Sequence, residues 1–449
     1  MLDILLRRYD SRIPRYTSYP TAPHFHPGVD ADAYAARLAA LDPRQPASIY
    51  LHVPFCERLC WYCGCNTKIV ARYAPVAAFA ETLADETALV ASFVPGRLRV
   101  SHVHWGGGTP TMLTPGDFAK LNDRLRQTFD VASNAEIAVE IDPRALSAEM
   151  ARTLSACGIN RASLGVQDFD PAVQAAINRV QPYEATKRVV ELLRGAGIGR
   201  INFDLIYGLP RQTAAGAVAT VDQAVELSPD RLAVFGYAHV PWLKKHQRLI
   251  DEATLPDVRA RWDQSQAMAS RLKEHGYAAI GLDHFARPAD PMALAANAGA
   301  LRRNFQGYTT DGATILLALG PSSIGAFADA YVQNSSETRA WRAAIGGGAL
   351  ATSRGVVLNA EDRLRRAAIE RIMCDDVVDM AIVATKHGFG ARYFAPELAA
   401  LAPLVADGLL RVDGRRILLT PLGRKLRRAV AACFDRYLGN DESRHSRAV

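Results

Sequence analysis

Long apolar runs are missing from this sequence. No segment reaches the roughly 18 consecutive apolar residues that a membrane-spanning helix needs, and the most apolar stretch, residues 313–328, is broken by Gly320 and Pro321. The first residues carry Asp3 and Arg7 where a secretory signal would be continuously apolar. We therefore expect no membrane segment, no secretory signal and a cytoplasmic location.

A strong charge of one sign is also missing. The 449 residues include 53 basic and 46 acidic side chains, which leaves a formal net charge of +7. No basic run is interleaved with aromatic residues, so we expect no nucleic-acid partner. Apolar residues make up 49% and charged residues 22%, which is typical of a globular protein and excludes a disordered, collagen-like or coiled-coil chain.

Cysteine is scarce along most of the chain and concentrated in one segment. Four of the seven cysteines fall within ten positions: Cys56, Cys60, Cys63 and Cys65. The other three are scattered, and we interpret them as ordinary thiols: Cys157, Cys374 and Cys433. A disulfide framework would instead spread its cysteines along a short secreted chain. The tight cluster therefore indicates a metal site in a reducing compartment.

Short β-branched and aromatic runs alternate with longer helical patterns. Strands are predicted at residues 47–53, 100–105, 136–141, 161–166, 200–207 and 231–237. Helices are predicted between them at residues 76–93, 115–129, 147–156, 182–196 and 215–227. This alternation predicts an α/β fold, a partial TIM-like (βα)6 barrel of six parallel strands with crossover helices. The functional residues of such a barrel lie at the carboxyl ends of its strands.

Both ends of the chain depart from this alternation. We divide the chain into an N-terminal arm, a barrel with a substrate-binding extension, and a C-terminal domain, at residues 1–45, 46–355 and 356–449. The arm is rich in proline and is predicted to be irregular and to lie on the barrel. The C-terminal domain is predicted to be small, mainly helical and winged-helix-like, with a hairpin near its end and a helix that begins at Pro421 after a Thr420 cap.

The cysteine cluster follows the first predicted strand. The strand ends at Val53, and Cys56, Cys60 and Cys63 follow at C-x3-C-x2-C spacing. Thiolates suit both zinc and iron–sulfur clusters. A structural zinc site typically takes two of its ligands from a second motif farther along the chain, which is missing here, although Cys65 offers a fourth thiol. Three ligands from one loop would leave one iron of a [4Fe–4S] cluster open to a substrate or cofactor.

A glycine-rich turn and a series of polar residues follow the later strands. Gly106, Gly107, Gly108 and Thr109 follow the second strand, and consecutive glycines let the backbone approach a ligand closely. The polar residues lie at or near the ends of the third to sixth strands: Glu140, Asp142, Gln167, Asp168, Arg179, Asp204, Tyr237 and His239. An inward-facing carboxylate in a barrel strand is costly unless it is paired or bound to a ligand. These residues therefore predict a binding site at the same rim of the barrel.

These motifs resemble those of the radical S-adenosylmethionine (SAM) enzymes, and more narrowly the oxygen-independent coproporphyrinogen III oxidases (dehydrogenases). The narrower resemblance is carried by residues 14–20 (PRYTSYP), 63–66 (CGCN), 165–169 (GVQDF), 204–210 (DLIYGLP), 283–288 (DHFARP) and 303–310 (RNFQGYTT). It implies that a [4Fe–4S] cluster on Cys56, Cys60 and Cys63 binds SAM at its open iron. A 5′-deoxyadenosyl radical would then decarboxylate two propionates of coproporphyrinogen III to vinyl groups, giving protoporphyrinogen IX in haem biosynthesis.

The resemblance also assigns SAM contacts, position by position. The implied residues are Tyr50, Tyr62, Gly107, Gly108, Thr109, Glu140, Gln167, Arg179, Asp204, Ala238 and Ile324. Tyr62 stands where the family commonly has Phe, and its ring can still pack against an adenine. The family is also reported to hold a second SAM-sized molecule beside the first. The resemblance assigns no catalytic side chain.

The implied substrate is a tetra-anion, so its site should present arginines, whose planar fork matches carboxylates. Our candidates are Arg15, Tyr16, Arg287, Arg302, Arg303 and Tyr308. A reductase or flavodoxin-type protein would donate the electron, and we expect a monomer. Two alternatives remain: a haem-binding, chaperone-like relative without decarboxylase activity, and a zinc-dependent regulator. Cys65 and the N-terminal arm favour the enzyme over the haem-binding relative, which typically has Phe at that position.

Overall fold

The computed structural model describes residues 2–439. Its strands are β1 Ala47–Val53, β2 Phe55–Cys56, β3 Lys68–Ile69, β4 Arg99–Gly107, β5 Asp130–Ile141, β6 Arg161–Gln167, β7 Arg200–Tyr207, β8 Arg231–Gly236, β9 Ala278–Ile280, β10 His284–Ala286, β11 Arg302–Asn304, β12 Gly307–Thr309, β13 Ile315–Leu319, β14 Ile324–Ala326, β15 Ala330–Asn334, β16 Thr352–Val357, β17 Val377–Asp379, β18 Leu410–Asp413 and β19 Arg416–Leu419.

The α-helices flank these strands. They are α1 Leu2–Tyr9, α2 Ala31–Ala39, α3 Ala74–Ser92, α4 Pro115–Thr128, α5 Ala148–Ala156, α6 Pro171–Ala176, α7 Tyr183–Gly195, α8 Ala214–Glu226, α9 Val258–Glu274, α10 Pro291–Asn297, α11 Thr338–Gly346, α12 Ala360–Cys374, α13 Met380–Lys386, α14 Ala395–Ala400, α15 Ala402–Ala406, α16 Pro421–Lys425 and α17 Arg427–Ala432. Short 3-10 helices occupy Ala22–His24, Pro110–Met112, Lys245–Leu249 and Glu252–Thr254. Within residues 2–439, no helix has the length and apolar content to cross a membrane.

One twelve-stranded sheet forms the barrel. Its strand order is β16-β15-β14-β13-β1-β4-β5-β6-β7-β8-β10-β9, and the seven strands from β13 to β8 are parallel. The first and last strands of this order, β16 and β9, do not pair with each other, so the barrel is partial, and the predicted fold class is confirmed. The six predicted parallel strands are confirmed, but β13 was missed as a seventh, because its five residues form a short buried run without alternation.

Side chains that alternate along the strands divide the barrel into an apolar outer layer and a polar lumen. In β7, Ile201, Phe203 and Leu205 face the core that packs against the helices, whereas Asn202 and Asp204 line an internal cavity of about 340 Å³. This division arises because successive residues of a strand point to opposite faces of the sheet. Barrel interiors of this type are usually filled by branched apolar side chains. The polar, unfilled lumen therefore marks a binding site.

The N-terminal arm contains helices, so our expectation of an irregular arm was wrong. Leu5, Leu6 and Tyr9 of α1 form an apolar stripe that packs into the core of the C-terminal domain. Leu38 of α2 packs into the barrel core instead, and Asp30 caps that helix by accepting a hydrogen bond from the Ala33 amide. The arm therefore ties the two parts of the chain together. The division of the chain into three domains stays a prediction.

The C-terminal part has the predicted winged-helix-like elements. Strands β17, β19 and β18 form a small antiparallel sheet beside α12, α13 and α17. The hairpin and the capped helix are confirmed: the Thr420 side chain accepts a hydrogen bond from the Gly423 amide at the start of α16.

Candidate active site

The cysteine loop lies between β1 and α3, and two short paired strands, β2 and β3, hold its ends together. Cys56 lies in β2, which pairs in parallel with β3, so both ends of the loop are fixed. The Trp61 amide donates a 3.0 Å hydrogen bond to the Ile177 carbonyl, and this bond anchors the centre of the loop. Cys56, Cys60 and Cys63 all line a cavity of about 260 Å³ at the carboxyl ends of the parallel strands. The loop therefore presents its thiols on one side.

Residues 244–247, which follow β8, also hold the cysteine loop in place. They were not predicted from the sequence. His246 contacts the Cys63 carbonyl at 2.8 Å, and Gln247 donates a 3.0 Å hydrogen bond to the Tyr62 carbonyl. Lys244 donates to the Cys65 carbonyl at 2.9 Å. The loop contributes only backbone carbonyls to these contacts. Because every residue type has a carbonyl, the loop sequence does not predict them.

A buried and a half-buried arginine lie beside Cys60. Arg179 Nη1 lies 3.4 Å from Cys60 Sγ and Arg144 Nη2 lies 3.6 Å from it. Asp142 orients both cations, accepting at 3.1 Å from Arg179 and at 2.6 Å from Arg144. Nearby cations favour the thiolate, which is the ligand form of cysteine. Arg179 was a sequence candidate, whereas Arg144 was missed.

The cysteine thiols differ in acidity. A hydrogen bond with Cys65 lowers the pKa of Cys63 to about 6, and the pKa of Cys65 rises in return. Burial raises the pKa of Cys56 to about 11. Cys63 therefore forms a thiolate at a lower pH than Cys56 does, and Cys65 supports it from the rim.

The glycine-rich turn packs against the cysteine loop. The Gly108 amide donates to the Val53 carbonyl and the Thr109 amide donates to the Phe55 carbonyl, both at 2.8 Å. A Cβ atom would lie 2.6 Å from the His52 ring at Gly107 and 2.6 Å from the Phe55 oxygen at Gly108. These glycines are therefore required first by the close approach of β4 to β1, and they fix the turn beside the thiols.

Two carboxylates face the same cavity with different acidities. Glu140 contacts His104 Nε2 at 2.9 Å and accepts a 3.0 Å hydrogen bond from the Gly107 amide. Burial alone would raise the pKa of Glu140, but these partners outweigh it and lower the pKa. Burial and the charge of Glu140 raise the pKa of Asp204 to about 6. Glu140 therefore stays ionised more readily than Asp204, and the pair can present a negative charge to a bound cation.

Most of the predicted cofactor residues meet at this cavity. Its lining includes Cys56, Cys60, Tyr62, Cys63, Gly107, Gly108, Thr109, Glu140, Gln167, Arg179 and Asp204. Gln167 has a φ of 69°, an uncommon backbone conformation that is often found at functional sites.

Three candidates do not reach the lining of this cavity: Tyr50, Ala238 and Ile324. The Tyr50 hydroxyl contacts His52 at 3.0 Å, and the Ala238 carbonyl accepts a hydrogen bond from Gln247. Ile324 packs beside Tyr331 near the sheet edge.

Several polar residues that we placed at the rim serve the scaffold instead. Asp168 is buried and accepts hydrogen bonds from Gln212 at 2.6 Å and from Thr220 at 3.1 Å. Tyr237 contacts His239, which contacts Glu252 at 2.9 Å. These side chains stabilise the loops around the cavity without lining it.

The donor set fits a cluster that leaves a coordination position open. Three soft thiolates converge from one loop, two cations balance their charge, and two carboxylates and a glycine turn stand on the opposite wall. Within residues 2–439, no three His, Cys, Asp or Glu side chains are spaced to hold a single metal ion.

The arginine candidates for the substrate lie in different places. Arg15 and Arg303 line a small cavity around Asp283, and Arg303 also lines a cavity of about 170 Å³ with Tyr16 and Arg302.

The other two substrate candidates lie apart from these arginines. Tyr308 lines the lumen, with the Arg303 guanidinium 4.4 Å from its ring centre. Arg287 lies at the opposite end of the sheet, because it follows Ala286, whose strand partner is the first residue of β8. Arg287 instead packs over the Tyr277 ring.

The lumen also holds charged side chains that were not predicted from the sequence. His102, Glu136, Arg161 and Arg231 line it together with the carboxyl-end residues described above. Counting alternate positions back from Glu140 along β5 would have placed Glu136 on the same face.

Comparison with known proteins first defines the class. A model of the radical SAM superfamily matches residues 50–224, from β1 to α8. A model of the HemN C-terminal domain matches residues 358–426. The chain is therefore a radical SAM enzyme, and the predicted cofactors, a [4Fe–4S] cluster and SAM, are confirmed at the level of the superfamily.

Full-length relatives then define the family. The chain is 52% identical to the oxygen-independent coproporphyrinogen III oxidase of Bradyrhizobium diazoefficiens, covering 100% of this chain and 99% of that protein. It is 41% identical to the Escherichia coli K12 protein of the same name, covering 97% and 95%.

A solved structure of coproporphyrinogen III oxidase from Escherichia coli, described as a radical SAM enzyme, superposes with a TM-score of 0.90. It has 39% identity and coverage of 97% of this chain and 98% of that one. The chain belongs to the family of oxygen-independent coproporphyrinogen III oxidases, which are oxidoreductases. These relatives give no support to the haem-binding alternative.

Proposed function

We propose that this chain catalyses the oxidative decarboxylation of two propionates of coproporphyrinogen III to vinyl groups, giving protoporphyrinogen IX without oxygen. The observation that carries the proposal is the junction of two cavities. The cavity lined by the cysteines and the polar lumen share Cys65, Glu140, Ser163, Asp204 and Phe235 as lining residues. A substrate in the lumen would therefore reach the cofactor site directly.

We assign Cys56, Cys60 and Cys63 as the cluster ligands. When bound, the cluster and SAM would supply the 5′-deoxyadenosyl radical that takes a hydrogen atom from a propionate; CO2 would then be lost and the remaining electron would pass to a separate one-electron acceptor. Arg144 and Arg179 offset the negative charge of the thiolates.

The opposite wall orients the SAM molecule. Glu140 and Asp204 face the cavity and would accept hydrogen bonds from the SAM amino group, and the backbone of Gly107 and Gly108 would line the cavity beside its methionine end. Tyr62 would pack against the adenine. Arg15, Tyr16, Arg302, Arg303 and Tyr308 stay proposals for the substrate, whereas Arg287 packs over the Tyr277 ring and does not line the lumen.

The electron supply belongs to the same proposal. A reductase or flavodoxin-type donor would deliver the one electron that each radical requires. The accessible thiols and the incompletely ligated cluster fit a reducing cytoplasm. We propose that the enzyme acts as a monomer.

Anaerobic turnover tests the proposal. Reconstituted protein with dithionite, SAM and coproporphyrinogen III should release two CO2 per protoporphyrinogen IX and form 5′-deoxyadenosine. Cys63→Ala should abolish both products, and the matched control Cys157→Ala should retain them, since Cys157 belongs to the outer core. Formation of 5′-deoxyadenosine by the wild type without loss of coproporphyrinogen III would overturn the substrate assignment.

A further inference from the structure

The end of the lumen farthest from the cysteines carries two buried arginines. Arg161 is the first residue of β6 and Arg231 is the first residue of β8, so both lie at the amino ends of parallel strands. Their side chains are only 5% and 6% exposed, yet both line the lumen cavity. Buried arginines are rare unless something binds their charge.

The neighbouring carboxylates leave much of this hydrogen-bonding capacity unused. Arg231 Nε donates to Asp290 at 2.7 Å, and Arg161 Nε lies 3.1 Å from Glu136 without the alignment of a hydrogen bond. The remaining contacts of the two arginines with these carboxylates are 3.9–4.0 Å long. Within residues 2–439, all three nitrogens of Arg161 and Nη2 of Arg231 are buried without a hydrogen-bond acceptor. A guanidinium offers five N–H donors, and leaving them buried and unpaired is costly.

We infer that Arg161 and Arg231 form a carboxylate subsite that binds a propionate of the substrate which is not decarboxylated. The inference rests on the proposed function and adds the residues that would hold the far side of the tetracarboxylate. Gly165, which lines the cysteine cavity, lies four positions after Arg161 on β6, a span of about 13 Å at 3.3 Å per residue. A retained propionate on the arginines would thereby place a reactive propionate near the cofactors.

The test is the split between KM and kcat in anaerobically reconstituted full-length enzyme. Arg161→Gln and Arg231→Gln should each raise KM for coproporphyrinogen III by about tenfold or more, because a charge-assisted hydrogen bond is lost. Reductive cleavage of SAM without substrate should stay within twofold of the wild type. Arg200→Gln is the matched control: Arg200 lies 4.0 Å from the same Glu136 but is 54% exposed, and its KM should not change.

A double variant separates substrate binding from internal charge balance. If Arg161 only neutralises Glu136, the combined Glu136→Gln and Arg161→Gln variant should recover the wild-type KM. The inference predicts that KM stays raised in the double variant, and that Arg161→Lys, which keeps the charge but loses the fork, is intermediate. An unchanged KM in Arg161→Gln, or full recovery in the double variant, would overturn the inference. Absence of wild-type turnover would instead refute the proposed function.

Discussion

At the scale of single residues, the electrostatics around Cys60 are the most specific feature of the site. Arg144 and Arg179 both approach its sulfur, and both are held by Asp142. Hydrogen bonds to the sulfurs and nearby net charge are the main means by which a protein tunes an iron–sulfur cluster. The arginines therefore favour the reduced, more negative state of the cluster.

Replacing Arg144 tests this effect. Arg144→Met removes a positive charge 3.6 Å from a ligand sulfur, so the cluster should become harder to reduce and its reduction potential should fall. An anaerobic redox titration of the reconstituted protein measures it. Arg152→Met, on the exposed side of α5, is the control and should leave the potential unchanged. An equal or higher potential in Arg144→Met would contradict the account.

The residues that could be predicted from the sequence are those whose chemistry is local. Cys56, Cys60 and Cys63 reveal themselves by spacing within one loop. Arg144 and Arg161 could not be found in that way, because their roles depend on which strand face they occupy and on what lies opposite. The glycines were found, but their tightest constraint is packing against His52 and Phe55 rather than ligand approach alone.

At the scale of elements, a buried carboxylate joins α3 to the turn between β13 and β14. Glu86 of α3 accepts hydrogen bonds from the Gly320 amide and the Asn334 side chain, both at 2.6 Å. Burial raises its pKa from 4.5 to about 7. The folded chain therefore binds a proton at the Glu86 carboxylate more tightly than the unfolded chain does. The resulting stabilisation of the folded chain is lost as the pH rises from about 5 to 8.

The variant Glu86→Gln removes this titration. The free energy of unfolding of the wild type, taken relative to Glu86→Gln, should fall by about 2.5 kcal/mol between pH 5 and pH 8. Urea unfolding of both proteins at several pH values measures the difference, and the subtraction cancels the other titrating groups. A difference that does not change with pH would show that Glu86 is not held protonated by burial.

The strands show why some elements were predictable and others were not. The strands β1 and β7 have the predicted bounds because their runs of apolar and β-branched residues end in clear breaks. Short strands such as β10 and β14, of three residues each, carry too little pattern to be found. Their position is set by pairing with longer neighbours, which the sequence does not record locally.

At the scale of the whole molecule, the N-terminal arm packs on the C-terminal domain. Leu6 of α1 is fully buried in that domain's core, whereas Ile4 on the same helix is 64% exposed. Arg8 and Tyr9 add contacts to Asp407 at 2.5 and 2.6 Å. The arm therefore contributes to the stability of the C-terminal domain, although it is distant from it in sequence.

A pair of alanine variants measures that contribution. Leu6→Ala should lower the free energy of unfolding by about 2–5 kcal/mol, because it leaves a cavity in the core. Ile4→Ala on the same helix should stay within about 0.5 kcal/mol of the wild type. Denaturant unfolding of the full-length chain gives both values. Equal effects of the two substitutions would mean that α1 does not pack as described.

The account depends on three loop thiolates that leave one iron of the cluster free to bind SAM. The most direct measurement is electron–nuclear double resonance of the reduced enzyme with SAM labelled by 17O in its carboxylate. The account predicts a strong 17O coupling to the cluster in the wild type and in Cys157→Ala. Absence of that coupling in protein with a full complement of iron and sulfide would contradict the claim that SAM binds the open iron.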